Sequence, residues 1–198
     1  MIERLTIAVL LTLYSAPAFA HAPIAGIGAF YNGMLHPLFV PAHLLLLIGL
    51  GLVLGQHAPG ISRFGWTAFV LAVSAALAGG HTLGAAIWLP ALLFVTLLAA
   101  LLVVLERPFA KPIPVLIAIA AGLGIGFDSM PDTASGRDAW LGLLGSGIGA
   151  VLVLSYVGGF TASLTRPWQR TAIRVAGSWT AASALIVLTL TVFHAQAA

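Results

Sequence analysis

Histidine and aspartate are the residues of this chain whose chemistry is most distinctive, because imidazole nitrogens and carboxylate oxygens both bind divalent metals. The 198-residue chain has six histidines and five acidic residues. It has no cysteine, so neither thiolate ligands nor disulfides are available. These observations direct attention to a site built from histidine and carboxylate side chains.

Two histidines stand seven residues apart in the segment 36–43, His-Pro-Leu-Phe-Val-Pro-Ala-His. The pattern predicts a membrane helix that starts at Pro37, with His36 at its mouth and His43 two turns deeper. On one straight helix their α-carbons would lie roughly 10 Å apart, too far for a simple chelate. We therefore expect other helices to complete each ligand set, although Pro41 could bend this helix by freeing a carbonyl group.

A second group of ligands follows the fourth apolar segment, in the sequence 127–132, Phe-Asp-Ser-Met-Pro-Asp. Pro131 predicts that the helix ends here and leaves a cup of oxygen atoms. His81, which follows two glycines, could be turned back toward the same end. Asn32 and Ser129 are candidates for orienting the imidazoles. The predicted metal ligands are His21, His36, His43, His81, Asp128 and Asp132.

Each of these residues also has an ordinary structural interpretation. A buried histidine can simply bond a backbone carbonyl, and Asp132 can cap a helix. Asp138 is interpreted as a helix N-cap and His194 as a solvated terminal residue. The metal hypothesis depends on the accumulation of such groups at one end of the protein, because ionisable groups near hydrocarbon are costly.

Residues 1–20 are predicted to be a cleavable signal peptide. Arg4 precedes an apolar run, and Ala18-Phe19-Ala20 has the small-x-small pattern of a cleavage site. Cleavage would make His21 the mature N-terminus, where an α-amine and an imidazole on one residue can chelate a metal. The alternative is that His21 merely follows the cleavage site.

The composition identifies a membrane protein: 61% of residues are hydrophobic, 7% are charged, and the mean hydropathy is +1.10. We predict an all-α membrane domain over residues 21–198, a compact bundle of six transmembrane helices embedded in the lipid bilayer. Four pairs of glycines spaced four apart would let the helices approach closely. The predicted spans are 38–54, 64–78, 83–105, 113–127, 140–164 and 173–193, and the glycine pairs are Gly51/Gly55, Gly80/Gly84, Gly122/Gly126 and Gly145/Gly149.

The charges predict the orientation. With the mature N-terminus outside, nearly all the basic residues fall at cytoplasmic loops or helix ends, as the positive-inside rule requires. The pI of about 10.0 is thereby explained without nucleic acid as a partner. The expected location is the bacterial inner membrane, multi-pass, with the metal ligands on the external side and His57 and Glu106 on the other.

The mature His21, the spacing of His36-Pro37 and His43, the Leu- and Gly-rich continuation from Leu44, and six spans in under 200 residues resemble the HupE/UreJ family. The resemblance implies a permease for nickel or cobalt that accompanies hydrogenases and ureases, with metalloenzyme maturation proteins or a second copy of itself as partners. Ala42 departs from the family pattern, which has Asp before the second histidine.

A second departure lies at Asp128 and Asp132, where the family has histidines. Oxygen in place of nitrogen shifts metal preference toward harder cations. The resemblance implies a divalent transition metal ion, nickel or cobalt, whereas this departure moves the preference away from nickel, and copper and zinc remain open alternatives.

Three functions are compatible with these residues: a metal transporter, a membrane accessory protein that holds or delivers a metal, and an intramembrane metal hydrolase. The sequence has no HExxH motif, nucleophile elbow or P-loop, so we expect no enzyme activity. Transport would use external capture and passage inward through His43. A path for it could be lined by Ser74, Thr96, Ser146, Ser155, Tyr156 and Ser178.

Overall fold

A computed structural model describes residues 24–79, 87–106, 110, 112–129 and 136–197, with side chains up to residue 193. The described residues form seven α-helices, which confirms the all-α fold. In chain order they are α1 (Gly28–Phe39), α2 (Pro41–Gln56), α3 (Pro59–Gly79), α4 (Trp88–Leu105), α5 (Pro112–Asp128), α6 (Gly136–Ser163) and α7 (Pro167–Ala197).

The helices account for the membrane character of the chain. Helices α3, α4, α6 and α7 are each long and apolar enough to cross a membrane. Helices α1 and α2 are apolar enough only as a pair bent by 69°, which is either one broken span or a re-entrant loop, and α5 is a shorter apolar helix. Six complete crossings remain a prediction, and the predicted signal peptide lies outside the described residues.

Helix α2 occupies the centre of the bundle and contacts all six other helices. Its sequence is apolar on every side, as is typical of a helix with no solvent or lipid face. Its buried residues include a row of leucines and one histidine, His43. A fully buried histidine therefore lies on the most enclosed of the described helices.

Glycines set the closest helix contacts. Gly51 and Gly55 bring α2 against α6, and Gly122 and Gly126 bring α5 against α3. A Cβ atom on Gly149 would collide with the backbone oxygen of Met34, so α1 can lie against α6 only where α6 lacks side chains. Three of the four predicted glycine pairs thus pack helices together, and the fourth, Gly80/Gly84, lies outside the described residues.

The bend between α1 and α2 is at Val40, which is extended (φ −88°, ψ 108°). A residue before proline is pushed out of the helical region, and the following Pro41 starts a helix well because it lacks an N–H group. The predicted helix start at Pro37 is wrong, because Pro37 lies within α1. Helix α1 was not predicted as a separate helix, because an apolar pattern does not show where a proline divides one helix from the next.

The two ends of the bundle differ in charge. At the end where α3 and α7 begin, Arg170 and Arg174 flank Glu106, with nitrogen–oxygen distances of 3.4 and 3.7 Å. Arg174 Nε also donates to the Val104 carbonyl at 3.1 Å, at the terminus of α4. We call this the basic end, which also carries Arg63 and Arg166, and we call the opposite end the histidine end.

Candidate metal centre

His43 is the third residue of α2 and is completely buried. Its Nε2 atom lies 2.8 Å from Oδ2 of Asp128, the last residue of α5. The Asp128 side chain is 23% exposed. The pair lies where α2 begins and α5 ends. The structure thus joins two predicted ligands that are 85 residues apart in sequence.

The Asp128 contact determines the role of each His43 nitrogen. An ionised carboxylate only accepts hydrogen bonds, so Nε2 carries the hydrogen and donates it. In the neutral imidazole the lone pair is then on Nδ1. That atom is buried and has no hydrogen-bond partner among the described residues. A buried lone pair without a donor is suited to a cation.

His36 stands beside His43. The ring centroids are 5.2 Å apart and the ring planes meet at 72°. Two imidazoles on one metal can have centroids up to about 6.5 Å apart, given metal–nitrogen bonds of about 2 Å. The 10 Å separation expected along one straight helix does not apply, because the chain bends by 69° at Val40 and the two histidines lie on different helices.

The site lies within the bundle rather than on its outer rim. Ser129, next to Asp128, accepts a hydrogen bond from Ser146 at 2.9 Å. Helix α6 begins at Gly136, ten residues before Ser146, and thus extends about 15 Å beyond this level. Trp88 stacks on Phe127 beside the site, with centroids 4.9 Å apart.

The remaining predicted ligands, His21, His81 and Asp132, lie outside the described residues, as does the side chain of His194. Within the described ranges, no group of three or more histidine, cysteine or acidic residues is arranged to hold a metal ion. The described part of the site is therefore two imidazoles and one carboxylate that is already hydrogen-bonded to an imidazole.

Asn32 does not orient either imidazole, contrary to expectation. Its side chain bonds the backbone of Ile24, accepting from N–H at 2.7 Å and donating to C=O at 3.1 Å. Ser129 bonds Ser146, and the residue that does orient His43 is Asp128. The sequence did not single out Trp88 as a neighbour of the site, because a tryptophan at the start of a span is ordinary in membrane proteins.

Among the described residues, the predicted polar path is not assembled, and only Ser146 of its members is buried near the site, where it bonds Ser129. Ser74, Ser155, Tyr156 and Ser178 are exposed on the outer surface of their helices. Thr96 donates to its own helix at Leu92. Between His43 and the basic end, α2 instead buries a set of aliphatic side chains that we call the leucine core: Leu46, Leu47, Leu50, Val53 and Leu54.

Comparison with known protein families gives a match. The model of the family described as HupE / UreJ protein matches residues 9–187, which is most of the chain. No curated protein and no solved structure matches the chain. With a match of this extent, the chain belongs to the HupE/UreJ family, which implies a role in nickel or cobalt uptake or in urease and hydrogenase maturation.

Proposed function

We propose that this protein binds a divalent transition metal, nickel or cobalt, through Nδ1 of His43 and carries it across the membrane. The observation that carries the proposal is the buried Nδ1 atom, which lacks a partner among the described residues while Asp128 holds the opposite nitrogen. In metal proteins a carboxylate that accepts from the far nitrogen of a histidine ligand fixes its tautomer and raises its basicity.

His36 is the second ligand in this proposal, since its ring lies next to that of His43. Two imidazoles suit nickel, copper and zinc, and other donors must complete the site. We assign those positions to His21, His81 and Asp132. Asp128 then acts mainly by positioning His43 rather than as a direct ligand.

Two features support transport. The helix pair that carries both histidines is bent at a break, and interrupted helices form the substrate sites of many transporters. The histidines also lie below the outer ends of α6, within the bundle. By the positive-inside rule the basic end faces the cytoplasm, so the protein would reside in the bacterial inner membrane and accept its metal from outside.

One observation favours the accessory function instead. The leucine core contains no ionisable group and separates His43 from the basic end. A protein that only holds a metal for a maturation partner needs no path through this core. The family comprises membrane transport or accessory proteins, and no enzyme is known among its members.

Purified protein in proteoliposomes separates these two functions. We expect wild-type protein to admit Ni²⁺ or Co²⁺ to a dye trapped inside and His43→Ala to admit neither metal. Tight Ni²⁺ binding in calorimetry without uptake would establish the accessory function. The absence of both binding and uptake for each metal would refute the proposal.

The signal peptide and the six spans belong to the same proposal. Cleavage after Ala20 would expose the His21 amine and imidazole as a chelating pair. The intact mass of protein extracted from membranes tests this directly. A mass that includes residues 1–20 would rule out His21 as an N-terminal ligand and add an apolar segment to the topology.

A further inference from the structure

At the basic end, a cavity of about 450 Å³ opens between the turn from α2 to α3 and the last turn of α6. It is separate from the metal centre, because the leucine core lies between them. The lining residues are His57, Pro59, Ser62, Arg63, Trp66, Thr67 and Ala162.

Two of the lining side chains, Arg63 and Trp66, offer N–H donors to this cavity, whereas the lining hydroxyls use their hydrogens elsewhere. The Ser62 hydroxyl donates to the Leu54 carbonyl at 2.5 Å, and the Thr67 hydroxyl donates to the Arg63 carbonyl at 3.0 Å. Among the described residues, no hydrogen bond or ion pair engages the guanidinium of Arg63 or the indole N–H of Trp66. No carboxylate is among the described lining residues, and Glu106, at the same end of the bundle, is engaged by Arg170 and Arg174.

Charge complementarity therefore favours an anion. A metal ion would face an arginine and no carboxylate, whereas an anion would accept hydrogen bonds from Arg63 and Trp66. The cavity also lies beside the first turn of α3, whose free N–H groups carry partial positive charge. His57 adds no donor, because its Nδ1 donates to the Val53 carbonyl at 2.7 Å and the buried Nε2 of the neutral ring then carries only a lone pair.

The walls of the cavity indicate which anion it accepts. Pro59, Ala162 and the ring of Trp66 give it apolar surface next to the N–H donors that have no partner in the described part of the chain. A phosphodiester with acyl chains fits such a surface better than free phosphate does. Basic pockets between membrane helices at the cytoplasmic surface are known to hold anionic lipid headgroups. We propose that this cavity binds the headgroup phosphate of an anionic phospholipid, with Arg63 and Trp66 as its principal donors.

Native mass spectrometry of the full-length protein with phosphatidylglycerol or phosphatidylcholine tests the proposal. We expect wild-type protein to retain phosphatidylglycerol preferentially. Arg63→Gln should reduce that preference about tenfold and Trp66→Phe about threefold, as expected for a charged and a neutral hydrogen bond. Arg166→Gln is the matched control, because it removes the same charge at the same end but outside the cavity, and it should have no effect.

The proposal is overturned if the wild type shows no preference, or if Arg166→Gln loses as much as Arg63→Gln. Inorganic phosphate, added as a competitor, distinguishes the two sources of phosphate. If it displaces the lipid at low millimolar concentration, the site binds free phosphate rather than a lipid. Ni²⁺ binding, measured on each variant by calorimetry, should remain at the wild-type level and so report that the bundle is intact.

Discussion

His43 and His57 lie near opposite ends of helix α2, and the comparison between them shows how the partner of a histidine decides its use. Each has one nitrogen in a hydrogen bond and one buried nitrogen without a partner in the described structure. His43 faces a carboxylate from another helix, whereas His57 faces a carbonyl of its own helix, at Val53. The surroundings of His43 include a negative charge, from Asp128, and another imidazole, from His36. The hydrogen bond of His57 brings neither.

The two environments thus favour ligands of opposite sign. Around His43, an aspartate and another histidine supply lone pairs for a cation. Around His57, an arginine and a tryptophan supply hydrogens for an anion. A histidine therefore indicates a metal site only when the groups around it are also electron donors.

The largest effect should come from His43→Ala. We expect Ni²⁺ affinity to fall by at least about 100-fold, because the central ligand is lost. His57→Ala removes the same side chain from the other end and should leave Ni²⁺ affinity within about twofold, which is within the ordinary variation of such measurements. Calorimetry on both proteins provides the comparison. Equal losses would show that position along α2 does not matter.

Asp128→Asn tests whether Asp128 positions the His43 ring rather than binding the metal itself. The amide has nearly the same shape but lacks the charge that holds the proton on Nε2. Loss of such an orienting partner typically lowers metal affinity 10- to 100-fold. We expect a loss in that range, smaller than for His43→Ala, with the same number of imidazole ligands by X-ray absorption. An unchanged affinity would remove Asp128 from the site.

Gly149→Ala tests whether the packing of α1 on α6 supports the site. The added methyl group would meet the Met34 carbonyl, so α1 and with it His36 must shift. Overpacking of this kind costs about 1–3 kcal/mol. We expect a lower melting temperature in detergent and a modest loss of Ni²⁺ affinity.

Gly159→Ala is the control for this substitution. It lies on the same helix, and a methyl group there would meet no atom within 4 Å. Its melting temperature and Ni²⁺ affinity should match those of the wild type. If both alanine variants behave alike, the close contact between α1 and α6 is not needed to position His36.

The smallest effect is expected from Glu106→Gln at the basic end. Its partners Arg170 and Arg174 are about half exposed, so screening by water keeps such pairs to within about 1 kcal/mol. The melting temperature should change by at most about 4 °C, and Ni²⁺ binding should not change. Any loss of metal binding would indicate that the two ends of the bundle are coupled.

Much of the helical layout could be predicted from the sequence. The predicted span 83–105 ends at the same residue as α4, and 113–127 differs from α5 by one residue at each end. The apolar runs there are bounded by proline and charged residues, which mark helix ends in any membrane protein. The resemblance to the HupE/UreJ family is confirmed by the family match as well.

The geometry of the site could not be predicted in the same way. The spacing of His36 and His43 is meaningful only along a known helix axis, and the bend at Val40 changes that axis by 69°. The bond from His43 to Asp128 depends on which helix ends face each other, which is a property of bundle packing. The outward orientation of Ser74 and Ser155 was likewise hidden, because both segments are apolar on nearly every side.

The bend at Val40 places the two histidines on separate helices, His36 on α1 and His43 on α2. His36 stands four residues from the bend, an arm of about 6 Å at 1.5 Å per residue. A swing of about 10° would therefore move its ring by about 1 Å, several times the 0.2 Å tolerance of a metal–ligand bond. His43, bonded to Asp128 on the other helix, would stay in place. If His36 and His43 hold the metal as proposed, the angle of this joint would control the metal affinity, and a small motion of α1 would loosen the ion.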